Sequence, residues 1–199
     1  AARATSAEFL VNANESLAEA SAFFREASTI IMTLGTAWTF RFNSTGEIVS
    51  NCLKRDAKEF TRERLSLKTC SVLLNSLVGK YPQKRFIFTV SPIRHLKDGA
   101  HDNQISKSTL LMAVESVVEN HPDQCVYFPA YEIMMDELRD YRFYAEDMVH
   151  PSQQAVNYIW ERFCDFALPE TERATLEKNR KAFLQSQHRI ITKPQNTDK

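Results

Sequence analysis

Apolar positions along this chain follow two different periods. From Ser6 to Ala27 they recur at helical spacing, with Leu10, Leu17, Ala20, Phe23 and Phe24 on one stripe, and predict an amphipathic helix. Thr29-Ile30-Ile31-Met32-Thr33-Leu34 is instead an unbroken run ended by Gly35, the form of a buried parallel strand. Trp38–Phe42 and Glu47–Ser50, joined by Asn43-Ser44-Thr45-Gly46, read as a hairpin with a polar turn. The helical period returns over Ser66–Lys80, with Leu67, Leu73, Leu74 and Leu77 expected to face inward. Phe86-Ile87-Phe88-Thr89-Val90 is the second apolar run, stopped by Ser91-Pro92. His95 to Asn103 is polar and turn-rich and reads as a loop. Ser106–Glu119 is helical, and Cys125-Val126-Tyr127-Phe128 forms the third run. A short helix over Tyr131–Leu138 follows. The last helix, Ser152–Phe166, has Ser152 as its N-cap and Ala155, Val156, Ile159, Trp160 and Phe163 on one face.

Buried strands alternating with helices imply an α/β fold, a parallel sheet with helices on both faces. Ligands in such sheets bind at the carboxyl ends of the strands. Those ends carry Gly35, Ser91-Pro92 and Pro129-Ala130-Tyr131, which points to one site before any motif is considered. The pattern divides the chain into a domain over residues 1–168 and a tail over 169–199. The tail reads as a charged, solvent-facing helix with a frayed, partly disordered end.

Composition narrows the classes. Twenty-five basic residues balance 25 acidic ones, so no excess of positive charge argues for a nucleic acid or an anionic membrane as partner. No apolar run reaches the roughly 20 residues of a membrane helix, and Ala1–Glu8 lacks the layout of a signal peptide. Cys52, Cys70, Cys125 and Cys164 form no CxxC pair and read as reduced, mostly buried thiols of a cytoplasmic protein. Four glycines leave no Gly-rich phosphate loop, and no cofactor is implied.

The sharpest chemistry lies in Asp147-Met148-Val149-His150-Pro151-Ser152. An aspartate three residues before a histidine in a tight turn accepts the imidazole Nδ1–H, fixes the tautomer and leaves Nε2 as a general base. Thr33-Leu34-Gly35-Thr36-Ala37-Trp38 ends a strand on glycine and reads equally as backbone N–H groups open to an oxyanion or as a plain strand end with a core tryptophan. The segment from Ser91 to Asn103 holds His95, Asp98, His101 and Asp102. With the two cations Arg94 and Lys97 beside them, it reads as a solvated loop, as a pocket for a substrate anion or hydroxyl or, less favourably, as a metal site, although its spacing matches no known metal cage. Asn51 and Lys54 are candidate pocket lining. A nucleophile is missing: there is no G-x-S-x-G elbow and no Gly-Asp-Ser, and nothing activates Ser91.

Taken together, several stretches resemble the GSCFA family of bacterial proteins, which sits with the SGNH/GDSL hydrolases. They include Thr33–Trp38, Val49–Lys54, Phe88–His95, Asp98-Gly99, Asn103–Lys107 and Tyr127–Glu132. The last opens a long run that continues through Asp140–Pro151. They stand in family order over residues 30–165. The resemblance implies a three-layer α/β/α flavodoxin-like fold in which Asp147 and His150 form the last block of a triad. Gly35, Thr36, Ser91, His95 and Tyr131 follow strands expected to share one carboxyl edge, and with Trp38 and Asn51 they are the residues expected to line the oxyanion and substrate site. Thr36, Ala37 and Trp38 stand where many relatives carry an oxyanion-hole asparagine. The Gly-Ser-Cys-Phe-Ala block that names the family, with its strand and nucleophilic serine, is expected upstream, so the chain is expected to be a fragment lacking the first strand. The implied activity is hydrolysis or transfer of an acyl ester on a small molecule or glycan. The alternatives are a non-catalytic binding module and a metal-dependent phosphoesterase built on His95, Asp98, His101 and Asp102.

Overall fold

The computed structural model describes residues 5–49 and 55–187. Its elements are α1 (Ser6–Glu26), β1 (Thr29–Leu34), β2 (Trp38–Phe42), β3 (Ile48–Val49), β4 (Phe60–Arg64), α2 (Leu67–Lys80), β5 (Arg85–Val90), α3 (Gly99–Asn120), β6 (Cys125–Phe128), α4 (Ala130–Glu132), α5 (Gln153–Ala167) and α6 (Glu170–Gln187). The expected α/β fold is present. β1, β5 and β6 form a parallel sheet in that order, with Leu34 beside Val90 and Thr89 beside Phe128, so their carboxyl ends share one edge of the molecule.

Strand side chains alternate between faces, and the packing separates accordingly. Phe86 and Phe88 join Val78 of α2 and Val114 and Val117 of α3 in one core. Ile87 and Phe128 turn the other way, onto Ile159 and Phe163 of α5. Helices therefore cover the sheet from both sides, α2 and α3 on one face and α5 on the other.

That cover is incomplete at β1. The strand is an edge of the sheet, and among the described residues nothing pairs with its outer side. Ile30, Met32 and Leu34 pack inward beneath α2 and α3, whereas Ile31 on the α5 face is 56% exposed. β1 thus has the composition of a strand buried on both faces but is covered on only one.

Four details depart from the sequence reading. The stretch read as a loop up to Asn103 becomes helical at Gly99. The exposed first turns of α3 are polar enough to mask their period. β4 was not legible. Its Arg62 and Arg64 lie over the Trp38 ring, 4.3 and 5.8 Å from its centre, so charged residues fill strand positions where apolar ones are the usual signal. With β2 and β3 it makes a second, antiparallel sheet in the order β3-β2-β4. On α2 the buried line runs through Cys70, Leu74, Leu77 and Val78, while Leu67 and Leu73 face outward. Finally, the apolar stripe of α1 and the Val156 and Trp160 positions of α5 are largely exposed. Amphipathicity records that a face is to be covered, but not by what.

Cys70, Cys125 and Cys164 are buried free thiols. Cys52, Asn51 and Lys54 lie outside the described residues. No described helix is long and apolar enough to cross a membrane.

Candidate active site

The chain enters the site through a tight turn. Tyr144 and Pro151 form an antiparallel bridge, the Ala145 N–H donates to the His150 carbonyl at 2.8 Å, and the Ser152 N–H donates to Phe143 O at 2.7 Å. Met148 closes the turn in the left-handed region at φ 59°, a conformation costly for a side-chain-bearing residue and often found at functional sites. Beyond the turn, the Ser152 hydroxyl accepts the Ala155 N–H and starts α5, which anchors the segment.

Within this turn Asp147 is saturated with donors. Its Oδ1 accepts the backbone N–H groups of Val149 and His150, both at 2.9 Å, and its Oδ2 lies 2.6 Å from His150 Nδ1. The His150 backbone N–H, then its ring, then the Val149 N–H hold the Asp147 carboxyl down at about 2. The group is therefore an anion that only accepts hydrogen bonds. It follows that His150 Nδ1 carries the proton of this contact, which leaves Nε2 as the ring nitrogen that can act as base.

His150 opens into an apolar groove of about 530 Å³ between the bare face of β1 and the exposed edge of α5, with Ile31, Trp160 and Phe163 among its walls. Ser91 lines the same groove. Its hydroxyl accepts the Ile93 N–H at 3.3 Å and makes no hydrogen bond to His150.

The strand ends are fastened by a residue that sequence reasoning passed over. Lys107 of α3 is fully buried, and its Nζ donates to Gly35 O and Ser91 O, each at 2.6 Å. These are the first carbonyls past the ends of β1 and β5, so one ammonium group ties the two strands together where the site begins. Burial lowers its pKa to about 8. Lys107 precedes Leu110 by three residues and Val114 by seven, on the buried line of its helix, and that register was the available signal. Ser106 beside it accepts the Ala37 N–H at 2.8 Å and lies 3.0 Å from the Thr36 hydroxyl. Thr36 Oγ1 also accepts the Trp38 N–H at 3.2 Å. The N–H groups of Ala37 and Trp38 are thus consumed within the chain.

The remaining expected site residues are divided. His95 and Tyr131 line a second cavity of about 340 Å³, separated from the groove by Pro92, which borders both. The pKa of His95 is lowered, first by burial and then by the Lys107 charge. The Tyr131 hydroxyl donates to Gln104 Oε1 at 2.6 Å. Trp38 lines neither cavity and serves as the platform for Arg62 and Arg64.

The residues of the metal reading are turned elsewhere: Asp98 is bonded to Arg62, and Asp102 lies 3.9 Å from Arg64. Among the described residues no three His, Cys, Asp or Glu side chains gather as a metal set.

The sequence model of the GSCFA family matches residues 1–163 of this chain. No curated protein matches it.

Proposed function

The chain belongs to the GSCFA family, and from that premise we propose that it is an ester-hydrolase or acyl-transfer domain of the SGNH type, with His150 as general base and Asp147 as its orienting partner. The single observation that carries the reading is the 2.6 Å contact between Asp147 and His150 Nδ1, at the mouth of an apolar groove on the carboxyl edge of a parallel sheet.

In this mechanism His150 Nε2 takes the proton of a serine hydroxyl as that oxygen attacks the acyl carbonyl. The imidazolium formed is stabilised by Asp147 and then gives its proton to the departing alkoxide. The serine arrives on a strand that pairs with the open edge of β1. Such a strand runs parallel to β1, ends at the same edge as Gly35 and Ser91, and covers Ile31. The acyl group is small, and its carrier is a glycan or another small molecule.

A fluorophosphonate that phosphonylates activated serines tests the assignment. Mapping by mass spectrometry of the natural full-length protein should place the label on a serine before Ala1, and His150→Ala should prevent labelling. A label on Ser91, or labelling untouched by His150→Ala, contradicts the reading.

A further inference from the structure

We propose that the cavity beside the groove is an oxyanion subsite, in which Arg94 binds a carboxylate or phosphate group carried by the ester substrate. This deepens the hydrolase reading and rests on it for the word substrate. The binding itself stands on separate observations.

The first observation is charge. Arg94 lies on the wall of the 340 Å³ cavity, and among the described residues no acidic side chain lines it. Asp98 and Asp102, the carboxylates nearest in sequence, are turned to Arg62 and Arg64 of β4. Among the described residues Arg94 has no ion-pair partner.

The second is orientation. The guanidinium carbon stands 4.0 Å from the centre of the Tyr144 ring and 5.6 Å from that of Tyr141. Stacking on tyrosine positions the planar donors in advance, so less conformational entropy is lost when an anion binds.

The third is the set of neighbouring donors. Gln104 spends its Oε1 on the Tyr131 hydroxyl, and Asn103 spends its Oδ1 on the His95 N–H, at 3.0 Å. Both amides line the cavity with their acceptor ends occupied, which leaves their NH2 groups as what they can offer a ligand. A guanidinium fork with two amide donors suits an anionic oxygen group.

The fourth is location. The Arg94 backbone N–H donates to Val149 O at 3.3 Å, one residue before His150, and Pro92 is common to both cavities. A substrate whose carbonyl sits beside His150 can lay an apolar part in the groove and an anionic part against Arg94.

Two measurements test this independently. On the 199-residue chain, NMR titration with succinate and separately with inorganic phosphate should shift the side-chain amide signals of Asn103 and Gln104, and Arg94→Gln should abolish the shift. In the full-length protein, kcat/KM for p-nitrophenyl hemisuccinate relative to p-nitrophenyl butyrate should fall about 10- to 100-fold in Arg94→Gln, the value of one charge-assisted contact. Gln104→Leu, which leaves the Arg94–Tyr144 stack in place, should lower the same ratio and guards against a folding defect in the first variant. Titration shifts without turnover of either ester would retain the subsite and sink the hydrolase reading. Turnover with no preference for the anionic ester, or with the same ratio in the variants, overturns the subsite, as does the absence of any succinate or phosphate shift.

Discussion

His150→Ala in the natural full-length protein should lower ester turnover by about ten thousand- to a million-fold, and Asp147→Asn by about ten thousand-fold. The reason is tautomeric as much as electrostatic. The Asp147 anion accepts three hydrogen bonds, one of them from His150 Nδ1, and so keeps the Nε2 lone pair aimed outward. An asparagine amide in its place can donate to Nδ1, which moves the proton to Nε2 and removes the base. Both variants should keep their fold, because the two side chains are about half exposed and the turn is also held by the Ala145 and Ser152 backbone bonds. The measurement is kcat/KM on a p-nitrophenyl ester, with circular dichroism as the control for folding. A loss below tenfold in either variant would remove the pair from the chemistry.

The second large effect falls on stability. Lys107→Met should cost about 2 to 3 kcal/mol at pH 7, mainly by leaving the Ser91 carbonyl buried without a donor. It should also change the dependence on pH. The folded-state pKa of Lys107 is lowered to about 8, against 10.5 for the free side chain. Between these values the unfolded chain holds a proton that the folded one has released, so this group makes the protein more stable as pH rises. Wild type should therefore gain on Lys107→Met between pH 8 and pH 10.5, by up to roughly 3 kcal/mol. Between pH 7 and pH 8 the difference between them should change little. Raised tyrosine and cysteine pKa values elsewhere pull the other way, but they are common to both proteins and cancel in the difference. Urea titrations of the two proteins at pH 7, 8, 9 and 10 measure it. A difference independent of pH over this range would show that Lys107 keeps its ordinary pKa in the folded protein.

The residues that reveal themselves in the sequence do so by unbroken apolarity or by local spacing. The three parallel strands could be read because each is a short apolar run, and Asp147 and His150 because one turn brings them together. Contacts that depend on distant segments could not be read. Lys107 meets Gly35 and Ser91 only after β1, β5 and α3 are in place, and a lone lysine in a helix otherwise reads as surface. Arg94 is one basic residue in a polar stretch until the fold turns Asp98 and Asp102 toward β4. The expectation of a single pocket failed in detail for the same kind of reason. The strand ends do share one edge, but the Pro92 segment divides it in two.

The proposed chemistry requires a nucleophile that gives its proton to His150. The direct measurement is turnover of a short acyl ester by the 199-residue chain, beside a form extended by its natural preceding residues, each with and without His150→Ala. The extended form should be active and lose that activity in the variant, while the 199-residue chain should be inactive, since among the described residues no hydroxyl is hydrogen-bonded to His150. Equal turnover by both forms, abolished in each by His150→Ala, would place the nucleophile within this chain and contradict the account.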